Sequence, residues 1–89
     1  MIEKDITIIN KYGLHARAAA KFVSTASAFQ SDIQLCKEND WVDGKSIMSV
    51  MMLAASKGVT LQFRIEGSDE EAAIQAIEEL IANRFDEAE

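Results

Sequence analysis

The chain has 89 residues, 15 acidic against 9 basic side chains, a net charge of -6, one histidine, one cysteine and no proline. Such a length leaves room for one small domain over residues 1–89, and 48% hydrophobic residues describe an ordinary globular composition. The acidity argues against a nucleic-acid partner, no apolar run approaches the roughly 18 residues of a membrane span, and Met1-Ile2-Glu3-Lys4-Asp5 is no signal peptide, so a cytoplasmic protein without membrane insertion is expected.

From Ile2 to Ile9, isoleucines 2, 6 and 8 alternate with Glu3, Asp5 and Thr7, which predicts a half-buried strand. Asn10-Lys11-Tyr12-Gly13 breaks the pattern as a turn. Ala16 to Phe29 is alanine-rich, with Ala19, Phe22, Val23 and Ala26 at helical spacing. Ile33 and Leu35, then Trp41 and Val42, predict two strands around a hairpin turn at Lys37-Glu38-Asn39-Asp40, and Asp43-Gly44 is a further turn. Ile47 to Ala55 has Ser49 as its only polar residue and reads as a helix apolar nearly all round. Val59, Leu61, Phe63 and Ile65 alternate with Thr60, Gln62, Arg64 and Glu66, giving a strand with one buried and one wet face. Ser68-Asp69-Glu70-Glu71 matches a capping box, and Ala73, Ile74, Ile77, Leu80 and Ile81 form the stripe of a last helix. Asp86 to Glu89 should fray as a solvated acidic end. The order β-α-β-β-α-β-α predicts an α+β fold, a mainly antiparallel four-stranded sheet with three helices on one face.

With Cys36 alone, no intramolecular disulfide or cysteine metal cluster can form, and a single histidine excludes a two-histidine site, so no metal and no cofactor is expected. Cys36 is expected on the open face of its strand, and Trp41 as a strand residue packing its ring on neighbours. His15 lies in Gly13-Leu14-His15-Ala16-Arg17, where its ring can sit beside the unsatisfied N–H groups of a helix N-terminus. That terminus favours anions, Arg17 adds a guanidinium suited to phosphate oxygens, and a neutral imidazole is a competent nucleophile. Local physics leaves two readings open: a phosphoryl-accepting histidine, or an inert one hydrogen-bonded near the cap.

Gly13-Leu14-His15-Ala16-Arg17 resembles the phosphorylation-site motif of the HPr family, the histidine phosphocarriers of the bacterial phosphotransferase system. Asp43-Gly44-Lys45-Ser46-Ile47-Met48, continuing through Met51-Met52-Leu53 to Lys57-Gly58, is similar to that family's second signature, around a regulatory serine. The resemblance covers essentially the whole chain and implies the family's open-faced β-sandwich. It implies that His15 accepts a phosphoryl group on Nδ1 from Enzyme I and passes it to a histidine of an EIIA-type protein. Arg17 would neutralise charge on the phosphoryl oxygens, and the chain would be a carrier, a substrate of enzymes and not itself an enzyme.

Ser46 on its own is a candidate helix cap, and the resemblance adds phosphorylation by an HPr kinase/phosphorylase as a regulatory role. Ile47, Met48 and Met51 are the expected docking set, with Val50 and Leu53 turned inward, because so small a domain cannot enclose an all-apolar helix. A monomer is the expectation for a carrier that must release each partner. The family motif usually continues with proline after the arginine, where this chain has Ala18; Ala18→Pro is expected to keep phosphoryl acceptance within about tenfold. A second reading is a regulatory HPr-like protein acting mainly through Ser46 and partner docking, which leaves His15 and Arg17 without a task. A small hydrolase with His15 as base lacks any identifiable nucleophile beside it.

Overall fold

The alternation over residues 60–66 builds the middle of the sheet. The computed structural model describes residues 1–88. It runs β1 (Ile2–Thr7), α1 (Ala16–Ser27), β2 (Asp32–Lys37), β3 (Asp40–Asp43), α2 (Ile47–Met52), β4 (Thr60–Glu66) and α3 (Glu70–Ala82), then a short turn at Arg84–Asp86. The sheet order is β1-β4-β2-β3 and every pairing is antiparallel. Because side chains alternate across a strand, Leu61, Phe63 and Ile65 of β4 turn to the core while Thr60, Gln62, Arg64 and Glu66 stay exposed. Ile33 and Leu35 of β2 share that buried face, paired with Ile65 and Phe63. Burying each of these large side chains contributes roughly 1.5–3 kcal/mol.

The helices bring the other half of the core. α1 buries Ala18, Ala19, Phe22 and Ala26, and α3 buries Ala73, Ile74, Ile77 and Ile81, both at helical spacing. α2 buries Val50, with Leu53 just beyond it, as its apolar run predicts. The fold is α+β, an open antiparallel sheet covered on one face, and no helix among the described residues is long and apolar enough to cross a membrane. In the β2–β3 hairpin Glu38 and Asn39 adopt φ of 54° and 67°, the pair of left-handed residues that a two-residue hairpin turn requires.

Three features depart from the sequence reading. Ser68 does not cap α3: the N-cap is Asp69, and it makes no side-chain bond to its own helix. Its carboxylate instead accepts from the Ser31 hydroxyl (2.5 Å) and from the backbone N–H of Gln30 (2.9 Å) and Ser31 (3.0 Å). These donors, the Ser31 hydroxyl foremost, hold the Asp69 carboxyl below its ordinary value of 3.8, because each favours the ionised form. Cys36 follows the alternation to the open face, between cross-strand partners Trp41 and Gln62, but is buried there. Trp41 meets the Arg64 guanidinium, 4.0 Å from its ring centroid. Lastly, the tail is held against the domain as far as Glu87, with Phe85 fully buried and Glu87 bonded to Asn10 and His15, while Glu89 lies outside the described residues.

Candidate functional site

The loop between β1 and α1 is pinned before it reaches His15. Ile8 pairs with Val59 and Gly58 through two backbone bonds, and Leu14 N–H donates to Ala55 O at 2.8 Å. Gly13 sits at φ +64°, and a Cβ there would lie 2.4 Å from Ala55 O, so only glycine permits this approach. Asn10, fully buried, donates from Nδ2 to Gly13 O at 2.8 Å and closes the turn.

His15 is the N-cap of α1, with extended backbone, and its carbonyl accepts the first helical bond from Ala19 N–H. The side chain caps the helix in place of the usual hydroxyl or carboxylate: Nδ1 accepts from Arg17 N–H at 3.3 Å. Nδ1 therefore bears the lone pair and Nε2 the proton, the tautomer being set by the partner of the other nitrogen. The ring stays 30% exposed, with Tyr12 edge-on at 6.3 Å. Arg17, at the second helical position, is exposed. Tyr12, Arg17, Lys21, Asp86, Glu87 and Ala88 line a shallow cleft of about 420 Å³ beside it.

Two residues that the sequence reading left out complete this site. Glu87 accepts from His15 Nε2 and, through its other oxygen, from Asn10 Nδ2 at 2.9 Å. The Asn10 amide first, then His15 and the Arg17 charge, hold the Glu87 carboxyl below its ordinary value of 4.5, against burial that pushes it up. The available signal was Phe85: a large apolar side chain beyond the α3 stripe must find cover, and in doing so it draws the tail inward.

Ser46 stands apart from this cluster, as the N-cap of α2, its Oγ accepting from Ser49 N–H at 3.4 Å. Its neighbour Lys45 is turned away, donating to Phe29 O at 2.8 Å. Along α2, Ile47 (40%), Met48 (67%), Met51 (38%) and also Met52 (79%) are exposed, an apolar patch to which the sequence reading had not assigned Met52. Among the described residues no group of three His, Cys, Asp or Glu side chains could hold a metal ion.

Known proteins are similar to this chain in sequence and fold. The family model described as "PTS HPr component phosphorylation site" matches residues 2–83. The chain belongs to the HPr family. It is 53% identical over 87 residues to the phosphocarrier protein HPr of Xylella fastidiosa strain Temecula1, covering 98% of each chain. The corresponding HPr of Pseudomonas aeruginosa PAO1 is 56% identical over 86 residues, covering 96% of each. A crystal structure of HPr from Thermoanaerobacter tengcongensis superposes with a TM-score of 0.96 at 49% identity, with both chains fully covered. As an HPr-family protein the chain is a phosphocarrier of the phosphotransferase system, with a phosphohistidine site, and not an enzyme.

Proposed function

We propose that His15 is the phosphoryl acceptor, taking the group on Nδ1 from Enzyme I and delivering it to a histidine of an EIIA-type protein. The observation that carries this is the capping contact: Nδ1 aims its lone pair at the first turn of α1. A phosphoryl group bonded there would set its oxygens against unsatisfied N–H groups and the positive end of a 12-residue helix. The weak Arg17 N–H bond to Nδ1 would pass to a phosphoryl oxygen, and the Arg17 guanidinium, on the same turn, would meet the others. The transfer is a displacement: the Nδ1 lone pair forms the new N–P bond, and the old bond's electron pair returns to the donor.

Ser46 is a regulatory phosphorylation site in this reading, addressed by an HPr kinase/phosphorylase, and Ile47, Met48 and Met51 form the docking surface for Enzyme I and EIIA-type proteins. A phosphate on Ser46 would sit at the head of α2 without disturbing the fold and would charge an otherwise apolar contact. Residues 1–89 act as one HPr-like domain, monomeric and cytoplasmic.

The test is labelling from phosphoenolpyruvate and Enzyme I. Wild type should take one acid-labile phosphoryl group and His15→Ala none, with an unchanged fold. Acid-labile label persisting in His15→Ala would refute the assignment.

A further inference from the structure

The end of the chain is bent back onto His15 through an unfavourable backbone. Arg84, Phe85 and Asp86 lie at φ 56°, 54° and 63°, a left-handed run that side chains with a Cβ disfavour. Such a run persists only where its surroundings determine it. Phe85 is fully buried, Lys21 Nζ donates to Phe85 O at 2.9 Å, and Lys21 pairs with Asp86 at 3.6 Å. The turn reverses the chain after α3 and delivers Glu87 to the ring. Asn10 Nδ2 holds one oxygen of that carboxylate and, itself buried and bonded to Gly13 O, leaves the other aimed at His15 Nε2.

We propose that Glu87 is a positioning residue for phosphoryl transfer at His15, fixing the ring by its Nε2–H so that Nδ1 faces the incoming phosphorus. The inference rests on the reading of His15 as the acceptor. When Nδ1 forms its bond to phosphorus, its lone pair becomes the N–P bond pair and the ring, still carrying the Nε2 proton, becomes cationic. The bond broken at phosphorus leaves its electron pair on the donor, and no proton leaves His15. The positive charge on the ring then lies against a carboxylate that was ionised and in place before the reaction. The role is that of the acid behind a catalytic histidine, which orients the ring and stabilises its cation without taking the proton.

The test uses the full chain and compares Glu87→Gln, which keeps the shape but loses the charge, with Glu87→Ala. Steady-state phosphorylation by Enzyme I should show kcat lowered about tenfold in Glu87→Gln with KM within about twofold, and at least as large a loss in Glu87→Ala. In 15N-labelled protein the His15 Nε2-bound proton should be observed in wild type and lost to exchange in Glu87→Ala. An unchanged kcat in both variants overturns the proposal, leaving the contact purely structural. A raised kcat overturns it too, since the tail would then compete with the phosphoryl group for the ring. Label independent of His15 defeats both readings, whereas His15-dependent label with unaffected Glu87 variants defeats this one alone.

Discussion

The first turns of α1 and α2 are closed by the same device and surrounded by opposite chemistry. At each, a side chain able to carry a phosphoryl group accepts from a backbone N–H, His15 from Arg17 at 3.3 Å and Ser46 from Ser49 at 3.4 Å. Beyond the cap the two diverge. His15 heads a helix of 12 residues beside the exposed Arg17, and the tail supplies Glu87 to its far nitrogen. Ser46 heads a helix of 6 residues among exposed Ile47 and Met48, and the nearest ammonium in sequence, on Lys45, is committed to Phe29 O. A phosphoryl group on His15 would meet the Arg17 guanidinium, whereas one on Ser46 would meet apolar surface. Capping alone does not tell the two sites apart; the side chains that the rest of the chain places around each cap do.

The largest effect should come from erasing that difference at the first cap. Arg17→Ala removes the exposed guanidinium while leaving the Arg17 N–H and the helix in place. Transfer from Enzyme I should fall about 100-fold, the scale for deleting one electrostatic stabiliser of a developing charge. Rapid-quench measurement of phosphoryl transfer, with the melting curve as control, checks it. A loss smaller than threefold would mean that the helix terminus alone supports the chemistry and that the two caps differ less than their surroundings suggest.

At the second cap, charge and capping can be separated. Ser46→Asp keeps an acceptor at the N-cap and adds a negative charge favourable to the helix, so stability should hold. Transfer from Enzyme I should nevertheless slow about tenfold, because the charge meets the apolar contact. Ser46→Ala should do the reverse, leaving transfer within about twofold while lowering unfolding free energy by about 0.5–1 kcal/mol in a denaturant titration. Equal transfer rates in both variants would separate Ser46 from the docking surface.

Met48→Glu probes the same surface away from the cap. The side chain is 67% exposed, so the melting temperature should stay within about 2 °C, as for surface substitutions generally. Binding to Enzyme I should weaken about fivefold, or ~1 kcal/mol, measured by calorimetry. A collapsed melting transition would instead place Met48 in the core.

Short-range pattern carried most of the fold into view. The β4 alternation, the α3 stripe and the inward turn of Val50 and Leu53 follow from periodicities of 2 and 3.6 residues, which act through neighbours in sequence. His15 and Arg17 were legible for the same reason, as two residues beside one helix start. Glu87 and Asn10 were not, since they lie 77 residues apart and meet only through the left-handed turn at residues 84–86. Of Arg84-Phe85-Asp86 only Asp86 is of a type that readily tolerates positive φ, and the turn accompanies the burial of Phe85. The capping box failed for a related reason. Ser68 had the right spacing, but Asp69 takes the N-cap and spends its carboxylate on three donors around Ser31, across the molecule.

The smallest effect should belong to Ala18, where this chain departs from the usual family motif. Ala18 is the third residue of α1, and the first helical bond comes from the N–H of Ala19, to His15 O. Proline at position 18 therefore removes no intrahelical bond, and its fixed φ suits the first turn. The constraint is space: Ala18 is 1% exposed, so the added ring atoms must be absorbed by the packing around them. Proline also disfavours helical backbone in the residue before it, here Arg17, whose N–H is the one that His15 Nδ1 accepts. These terms oppose a gain from a stiffer unfolded chain. Phosphoryl acceptance by Ala18→Pro should stay within about twofold of wild type, with the melting temperature moved by no more than about 4–8 °C, or ~1 kcal/mol. A loss beyond tenfold, with the helix intact by circular dichroism, would show that the Arg17 amide must hold its present direction for His15 to react. The distinction between the two caps would then reside as much in backbone geometry as in the side chains that surround them.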